Sequence, residues 1–193
     1  MLDPNTDPFA AFEAWYADAK RSEPDVPDAM QLATCVDGRP SVRTVLLKAH
    51  GPEGFQFFTN LGSQKGLEIA ANPHVAAVLH WKSLERQVRV EGPVVAEPAA
   101  VSDAYFASRD RGSQIGAWAS HQSEEIAPGD LERAVERYTR RFDGVDVPRP
   151  AGWGGFRIRV QRLELWQGRP SRLHERLRYT RTADRWTTAW LAP

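Results

Sequence analysis

Apolar residues recur along the chain with two different periods, and the changes of period mark the elements. Phe9, Phe12, Tyr16 and Ala19 fall three or four positions apart, the interval that lines one face of an α-helix. Asp7 is a good N-cap and Pro8 suits the first helical position, which predicts a helix from Pro8 to about Lys20. The stretch 22–28 carries two prolines and reads as a linker. From Ala29 the pattern becomes strand-like. Ala29–Val36 and Val42–Lys48 flank Asp37-Gly38, a strong hairpin turn. The phenylalanine-rich Gly54–Thr59 is a third strand. Ser63 caps a short helix that ends before Pro73. His74–Trp81 and Arg86–Val95 are two more strands. Helical spacing then returns over Pro98–Ser108. It returns again from about Asp130 to Phe142, where Leu131, Val135, Tyr138 and Phe142 share a face. The polar stretch between, Arg109–Ser123, contains Gly112 and Gly116 and reads as a structured loop with a short helix. Pro148, Pro150 and Gly152 break the chain. Phe156–Trp166, Arg172–Thr180 and Trp186–Leu191 read as three final strands.

This gives about eight short strands with helices inserted over 98–145. Several connections are too short for parallel crossovers, so the sheet is mostly antiparallel. The expected fold class is mainly β with peripheral helices, a β-barrel either closed or split. At 193 residues the chain suits a single domain over 1–193, with an N-terminal helix and linker over 1–28.

Composition narrows the chemistry by exclusion. Lysine plus arginine and aspartate plus glutamate both count 25, so the chain lacks the positive excess of a nucleic-acid binder. Cys35 is the only cysteine, which excludes an internal disulfide and a multi-cysteine zinc site. Met1-Leu2-Asp3-Pro4 has no basic region and no apolar run, and no apolar stretch reaches the ~20 residues of a membrane span. The expectation is a cytoplasmic protein with no membrane or nucleic-acid partner. The seven tryptophans suit core packing, or a flat aromatic ligand. The five histidines are scattered, and phosphate-loop, zinc-protease and serine-hydrolase motifs are missing, so no metal is expected.

Four clusters carry candidate chemistry. If Arg172–Arg178 is a strand, alternation puts Arg172, His174, Arg176 and Arg178 on one face. Such a face suits an anion, and equally a solvated surface paired with acids. Arg43 and Lys48 frame the apolar run Thr44–Leu47 and fall on opposite faces under strict alternation. Ser63-Gln64-Lys65 at a helix start offers exposed N–H groups and a lysine, which suit a phosphate. Tyr105 and Arg109 are four residues apart and are followed by Ser113, a trio that would also hold a phosphate. Each cluster alone has an ordinary structural explanation.

Together these segments resemble one family, pyridoxine/pyridoxamine 5′-phosphate oxidase, from about Asp7 to Pro193. The resemblance rests on Arg43-Thr-Val-Leu-Leu-Lys48, Phe57-Phe-Thr-Asn60, Leu84-Glu-Arg-Gln-Val88, Ser113-Gln-Ile-Gly-Ala-Trp118, Gln122-Ser123, Trp153-Gly-Gly-Phe156, Glu164-Leu-Trp166 and Arg172-Leu-His174. It implies an FMN-binding split barrel that works as a homodimer, with non-covalent FMN across the subunit interface. It implies oxidation of pyridoxamine and/or pyridoxine 5′-phosphate to pyridoxal 5′-phosphate, with O2 reduced to H2O2. Arg43, Thr44, Val45, Leu46, Leu47 and Lys48 would run along FMN, and Phe58 and Thr59 would touch it. Gln64, Lys65, Gln87, Gln122, Ser123, Trp166 and Arg176 would complete the flavin site, partly from the second subunit. Lys48, Tyr105, Arg109 and Ser113 would hold the substrate phosphate. Arg172 and His174 would contact and orient the pyridine ring as the catalytic pair.

Two departures stand out. The position before Lys65 is often arginine in the family and is Gln64 here, which makes one phosphate contact neutral. Family members often carry a longer N-terminal arm over the substrate, and this chain is expected to start too late to supply it. Two rival readings share the fold: a related FMN-dependent oxidase of phenazine biosynthesis, and a flavin-binding protein without turnover.

Overall fold

The computed structural model describes residues 2–183 and 185–193. Asp7 accepts hydrogen bonds from the backbone N–H groups of Phe9 and Ala10 and so starts helix α1, Pro8–Ser22. Strands β1 (Ala29–Val36) and β2 (Arg39–Leu46) form the expected hairpin. Asp37 and Gly38 both have positive φ, 51° and 74°, as the tight two-residue turn requires. There follow β3 (Phe55–Asn60), α2 (Gln64–Ala71), β4 (His74–Trp81) and β5 (Arg86–Ala96). Three helices come next: α3 (Ala99–Ala107), α4 (Arg111–Ala119) and α5 (Asp130–Arg141). The chain ends with β6 (Trp153–Ile158), β7 (Arg162–Gln167), β8 (Glu175–Thr182) and β9 (Arg185–Trp190).

The strands form one antiparallel sheet in the order β2-β1-β4-β5-β7-β8-β9, with β6 pairing both β5 and β3. The sheet does not close on itself, which selects the split form of the barrel over the closed one. The fold is mostly antiparallel β with five helices, as expected.

Three sequence expectations need correction. Phe156–Trp166 is two strands rather than one. Strand β5 changes partner within its length: Arg86–Glu91 pair with β7, and Val94–Ala96 pair with β6. The switch occurs at Gly92, where an added Cβ would sit 2.0 Å from the Arg159 carbonyl oxygen. Residues 159–161 cross over at this close approach, so the sheet holds nine named strands rather than about eight. Second, β8 begins at Glu175. Ser171 and Arg172 have φ of 58° and 59°, within a short turn that starts at Pro170. Proline has no N–H for a ladder and left-handed residues leave the extended region, so the strand cannot reach back to Arg172. The alternation that placed Arg172 and His174 on one face with Arg176 and Arg178 therefore does not apply. Third, β2 spans Arg39–Leu46 and ends before Lys48, whose N–H is taken by the Gln56 carbonyl. The short helix expected within 109–123 is α4, Arg111–Ala119, capped by Asp110.

The main core lies inside the barrel, with Met30, Leu32, Phe55, Phe57, Leu79, Val88, Val90, Leu163, Leu165 and Leu177 fully buried. Helix α1 plugs one side through Phe12, which packs on Phe55, Tyr16 and Trp81. A second cluster, Phe106, Ile115, Phe142, Val147 and Trp153, holds α3, α4 and α5 against β6. No helix among the described residues is long and apolar enough to cross a membrane.

Candidate active site

A cleft of about 430 Å³ opens where the second core meets strands β2 and β3. That size lies within the range of small-molecule sites. Alternation along β2 decides which side chains reach it. Thr44 and Leu46 are exposed toward the cleft, while Arg43 leans the other way. Val45 is buried but still forms part of the wall. Leu47 is packed in the barrel core, so its side chain lies away from the cleft. Lys48 follows the strand end and lines the cleft. Its Nζ lies 2.8 Å from the Asp28 carboxylate.

Ser63 caps α2 and thereby fixes Lys65 in its first turn. Lys65 is only 6% exposed. Its Nζ donates to Thr59 Oγ1 (3.1 Å), Ser63 Oγ (3.1 Å) and Gln122 Oε1 (2.9 Å). All three are neutral, and no carboxylate reaches it among the described residues. Burial pushes its pKa down, and the nearby Arg43 guanidinium adds to this. A buried cation held by neutral oxygens is poised for an anion. Gln64 is exposed. Its backbone N–H donates to Ser123 Oγ (3.1 Å), which ties the 121–123 segment to the start of α2.

Arg43 does not line the cleft. Its guanidinium is taken up by Glu68 (2.9 Å), Ser41 Oγ (2.6 Å) and Thr34 Oγ1. Thr34 and Ser41 in turn donate to Glu68. These hydrogen bonds, the Thr34 hydroxyl first, hold the Glu68 carboxyl at a pKa of about 2.

The opposite wall comes from α3, α4 and β6. Phe58 stacks on Tyr105 at 4.1 Å and on Trp153 at 5.4 Å, so three aromatic rings lie nearly parallel. Arg109 lies just past the end of α3 and sits over Trp153. Its Nη1 is buried without a hydrogen-bond partner among the described residues, and burial pushes its pKa down. Ser113 lies in the first turn of α4, where its N–H donates to Asp110, and it faces the same cleft.

The structure thus brings Thr44, Val45, Leu46, Lys48, Phe58, Thr59, Lys65, Tyr105, Arg109, Ser113 and Gln122 around one space. It leaves a second group elsewhere. Gln87, Trp166 and Arg176 are direct neighbours in one row across β5, β7 and β8. The His174 ring lies 4.6 Å from that of Trp166, and its Nδ1 accepts from the Arg169 N–H. Arg176 is paired with Glu164 at 2.8 Å. Arg172 is exposed in the turn before β8. None of these lines the cleft.

Sequence reasoning gave no role to several groups in or beside the site. Trp153, Asn60, Ser120, Gly116 and Ala117 line the cleft, Asp28 holds its Lys48, and Glu68 holds Arg43 beside it. Trp153 stood within a resembling motif, and Asp28 within a presumed linker. Neither pattern shows which side chain it will meet.

Known proteins share this fold and much of this sequence. Residues 17–166 match the family described as pyridoxamine 5′-phosphate oxidase. Residues 153–193 match the pyridoxine 5′-phosphate oxidase C-terminal dimerisation region. The chain is 54% identical to pyridoxine/pyridoxamine 5′-phosphate oxidase of Sphingopyxis alaskensis, over 97% of this chain and 88% of that one. It is 50% identical to the enzyme of the same name from Gluconobacter oxydans, over 100% and 98% of the two chains. Among solved structures it is similar to PhzG from Burkholderia lata 383 in complex with tetrahydrophenazine-1-carboxylic acid. That match has a TM-score of 0.91 and 30% identity, and covers 99% of this chain and 95% of that one. It shares its fold with a pyridoxamine 5′-phosphate oxidase-related, FMN binding protein from Nostoc punctiforme, with a TM-score of 0.77 and 15% identity over 99% of this chain and 100% of that one. The chain belongs to the pyridoxine/pyridoxamine 5′-phosphate oxidase family.

Proposed function

We propose that the protein oxidises pyridoxamine 5′-phosphate and pyridoxine 5′-phosphate to pyridoxal 5′-phosphate, using non-covalent FMN and reducing O2 to H2O2. The observation that carries this reading is one cleft with two separate cationic centres. Lys65, buried among Thr59, Ser63 and Gln122, suits the flavin phosphate. Arg109, with an unpartnered buried nitrogen beside Lys48, Tyr105 and Ser113, suits the phosphate of a vitamer. Neither Lys65 nor Arg109 has a carboxylate hydrogen-bonded to it among the described residues, which supports a fit to two phosphorylated ligands.

FMN, when bound, supplies the two-electron acceptor and its reoxidation by O2. The protein's own task is position and charge. The walls from Thr44–Leu46 and Phe58 would flank the flavin, with Arg43 reinforcing the field around Lys65. Ser123 and Gln122 would close its phosphate end. We place Gln87, Trp166, Arg176, Arg172 and His174 in the same site by way of a second subunit, since they lie outside the cleft of their own chain. The match to a dimerisation region supports this arrangement. Arg172 and His174 would then hold the pyridine ring, and neither needs to act as a strong base. In the amine reaction the imine formed is hydrolysed to the aldehyde and ammonia.

The second reading is oxidation of a phenazine precursor, favoured by the 0.91 TM-score of the phenazine-bound neighbour. A carboxylate of that kind does not call for Lys48, Tyr105, Arg109 and Ser113 together. The deciding test is oxygen consumption by the FMN-loaded protein with each ligand. Uptake with the phosphorylated vitamers and none with the phenazine precursor supports the proposal. The reverse overturns it, and no uptake with either favours flavin binding without turnover.

A further inference from the structure

Three cations line the cleft, and among the described residues only one of them has a carboxylate partner. Lys65 has neutral partners and Arg109 has an unpartnered nitrogen, whereas Lys48 donates to the Asp28 carboxylate at 2.8 Å. Lys48 is also the only side-chain partner of that carboxylate among the described residues. The backbone around Asp28 is pinned. Leu47 donates its N–H to the Asp28 carbonyl (2.9 Å), Ala29 donates to Val26 (2.9 Å), and Trp81 Nε1 donates to Pro27 (2.9 Å). The backbone therefore holds Asp28 beside Lys48, and the short aspartate side chain has less reach to turn away than the long lysine.

We propose that Asp28 is a competing anion that sets the affinity of the cleft for phosphate monoesters. This rests on the reading that Lys48 receives the substrate phosphate. A phosphate dianion that reaches Lys48 shares its ammonium with Asp28, and the two like charges repel across one cation. The substrate and the aldehyde product carry the same phosphate, so Asp28 weakens both. Weakening the product is useful, because tight product binding through the phosphate would hold the site closed to the next turnover. Asp28 thus trades substrate affinity for product release, and it does so only for phosphorylated ligands.

The test is equilibrium titration of the FMN-loaded protein with pyridoxal 5′-phosphate and, separately, with pyridoxal, followed by flavin fluorescence at low and moderate salt. Asp28→Asn and Asp28→Ser both remove the charge, and the second guards against a fault peculiar to asparagine. Both should bind pyridoxal 5′-phosphate about tenfold more tightly than wild type at low salt, and the gain should shrink with added salt. Binding of pyridoxal should not change. Unchanged or weaker binding of the phosphorylated ligand in both variants overturns the inference, since Asp28 would then only aim Lys48 or merely support the fold. Lys48→Met separates this failure from that of the underlying reading. If Lys48→Met leaves phosphate binding intact, Lys48 is not a phosphate ligand and both ideas fall. If it weakens binding while the Asp28 variants do not tighten it, only the role of Asp28 falls.

Discussion

The Arg109 guanidinium lies 4.9 Å from the centroid of the Trp153 ring, on a tryptophan that is itself stacked against Phe58 and Tyr105. An aromatic face can offset part of the cost of a half-desolvated guanidinium, but it does not satisfy the N–H groups. The arrangement leaves Arg109 incompletely paired, as the proposed phosphate site requires.

Arg109→Ala should therefore raise KM for pyridoxamine 5′-phosphate by roughly 10- to 100-fold, the cost of one charge-assisted hydrogen bond, while the protein keeps its flavin. Trp153→Leu removes only the ring beneath the guanidinium. It should raise KM by about 2- to 30-fold, the range for a cation–π contact, and Trp153→Phe should recover part of the loss. Steady-state kinetics with flavin absorbance recorded on the same samples checks both. Loss of yellow colour in Arg109→Ala would move that residue to the flavin phosphate.

Lys65→Met tests the flavin centre. A buried ammonium hydrogen-bonded only to neutral oxygens carries an incompletely compensated desolvation cost in the flavin-free protein, since the Glu68 charge offsets only part of it. Removing it should leave the apoprotein melting temperature unchanged or higher. Flavin affinity should fall about 10- to 100-fold with the loss of a charge-assisted contact. Arg43→Ala should also weaken flavin binding, through the Glu68 charge it leaves unpaired. Thermal melts of apoprotein and fluorescence titration with FMN measure the two effects. An apoprotein that melts well below wild type would show that Lys65 is a structural residue.

Much of the fold was legible from the hydrophobic pattern. Helix α1, the Asp37-Gly38 hairpin and strands β1, β4 and β5 depend on local signals, namely a cap, a turn dipeptide and alternation. The misreadings have physical reasons. In 156–166 the buried apolar residues Phe156, Ile158 and Val160 keep one parity and Leu163 and Leu165 the other. That slip of one position marks the crossover, but such a slip also fits a bulge. The start of β8 is set by left-handed Ser171 and Arg172, which are not residue types that favour positive φ. The candidate site was legible as a set of residue types. The partners Asp28–Lys48 and Arg43–Glu68 were not, because each pair is 20 or more residues apart in sequence.

Glu68 gives a pH prediction with a definite sign. Its carboxyl is held at about 2, against an ordinary value of 4.5, chiefly by the Thr34 hydroxyl. A folded-state value below the unfolded one stabilises the fold fully above the unfolded pKa, and that stabilisation is lost as the pH falls through the folded pKa. Wild-type stability should therefore decline from about pH 4.5 down to about pH 2 as this group is protonated. Glu68→Gln should be less stable than wild type at neutral pH and should show a shallower decline across that window. Urea unfolding at a series of acidic pH values measures the slope. Equal slopes in the two proteins would remove Glu68 from the acid response.

The last prediction concerns the residues that the fold leaves outside the cleft. Arg172 and His174 belong to the turn before β8 and to the row formed with Trp166, whereas Arg109 and Lys48 face the cleft. If a complete site takes one group from each subunit, two impaired variants can rescue one another when substrate is held well below the raised KM of Arg109→Ala. Arg109→Ala carries a damaged cleft but an intact Arg172–His174 turn. Arg172→Ala carries the opposite defect. A mixed dimer then holds one site with both defects and one with neither. Random pairing of the two variants makes about half of all dimers mixed, and each mixed dimer has one intact site of two. About a quarter of wild-type activity should return. The variants are purified separately, mixed, partly unfolded in denaturant and refolded together, and oxygen consumption is compared with each variant refolded alone. No rescue, from refolded protein that is dimeric and flavin-loaded, would show that each chain builds its site from its own residues. The turn at Pro170–Arg172 would then have to move toward the cleft of its own chain, which Gln87, Trp166 and Arg176, fixed in adjacent strands of one sheet, cannot readily follow.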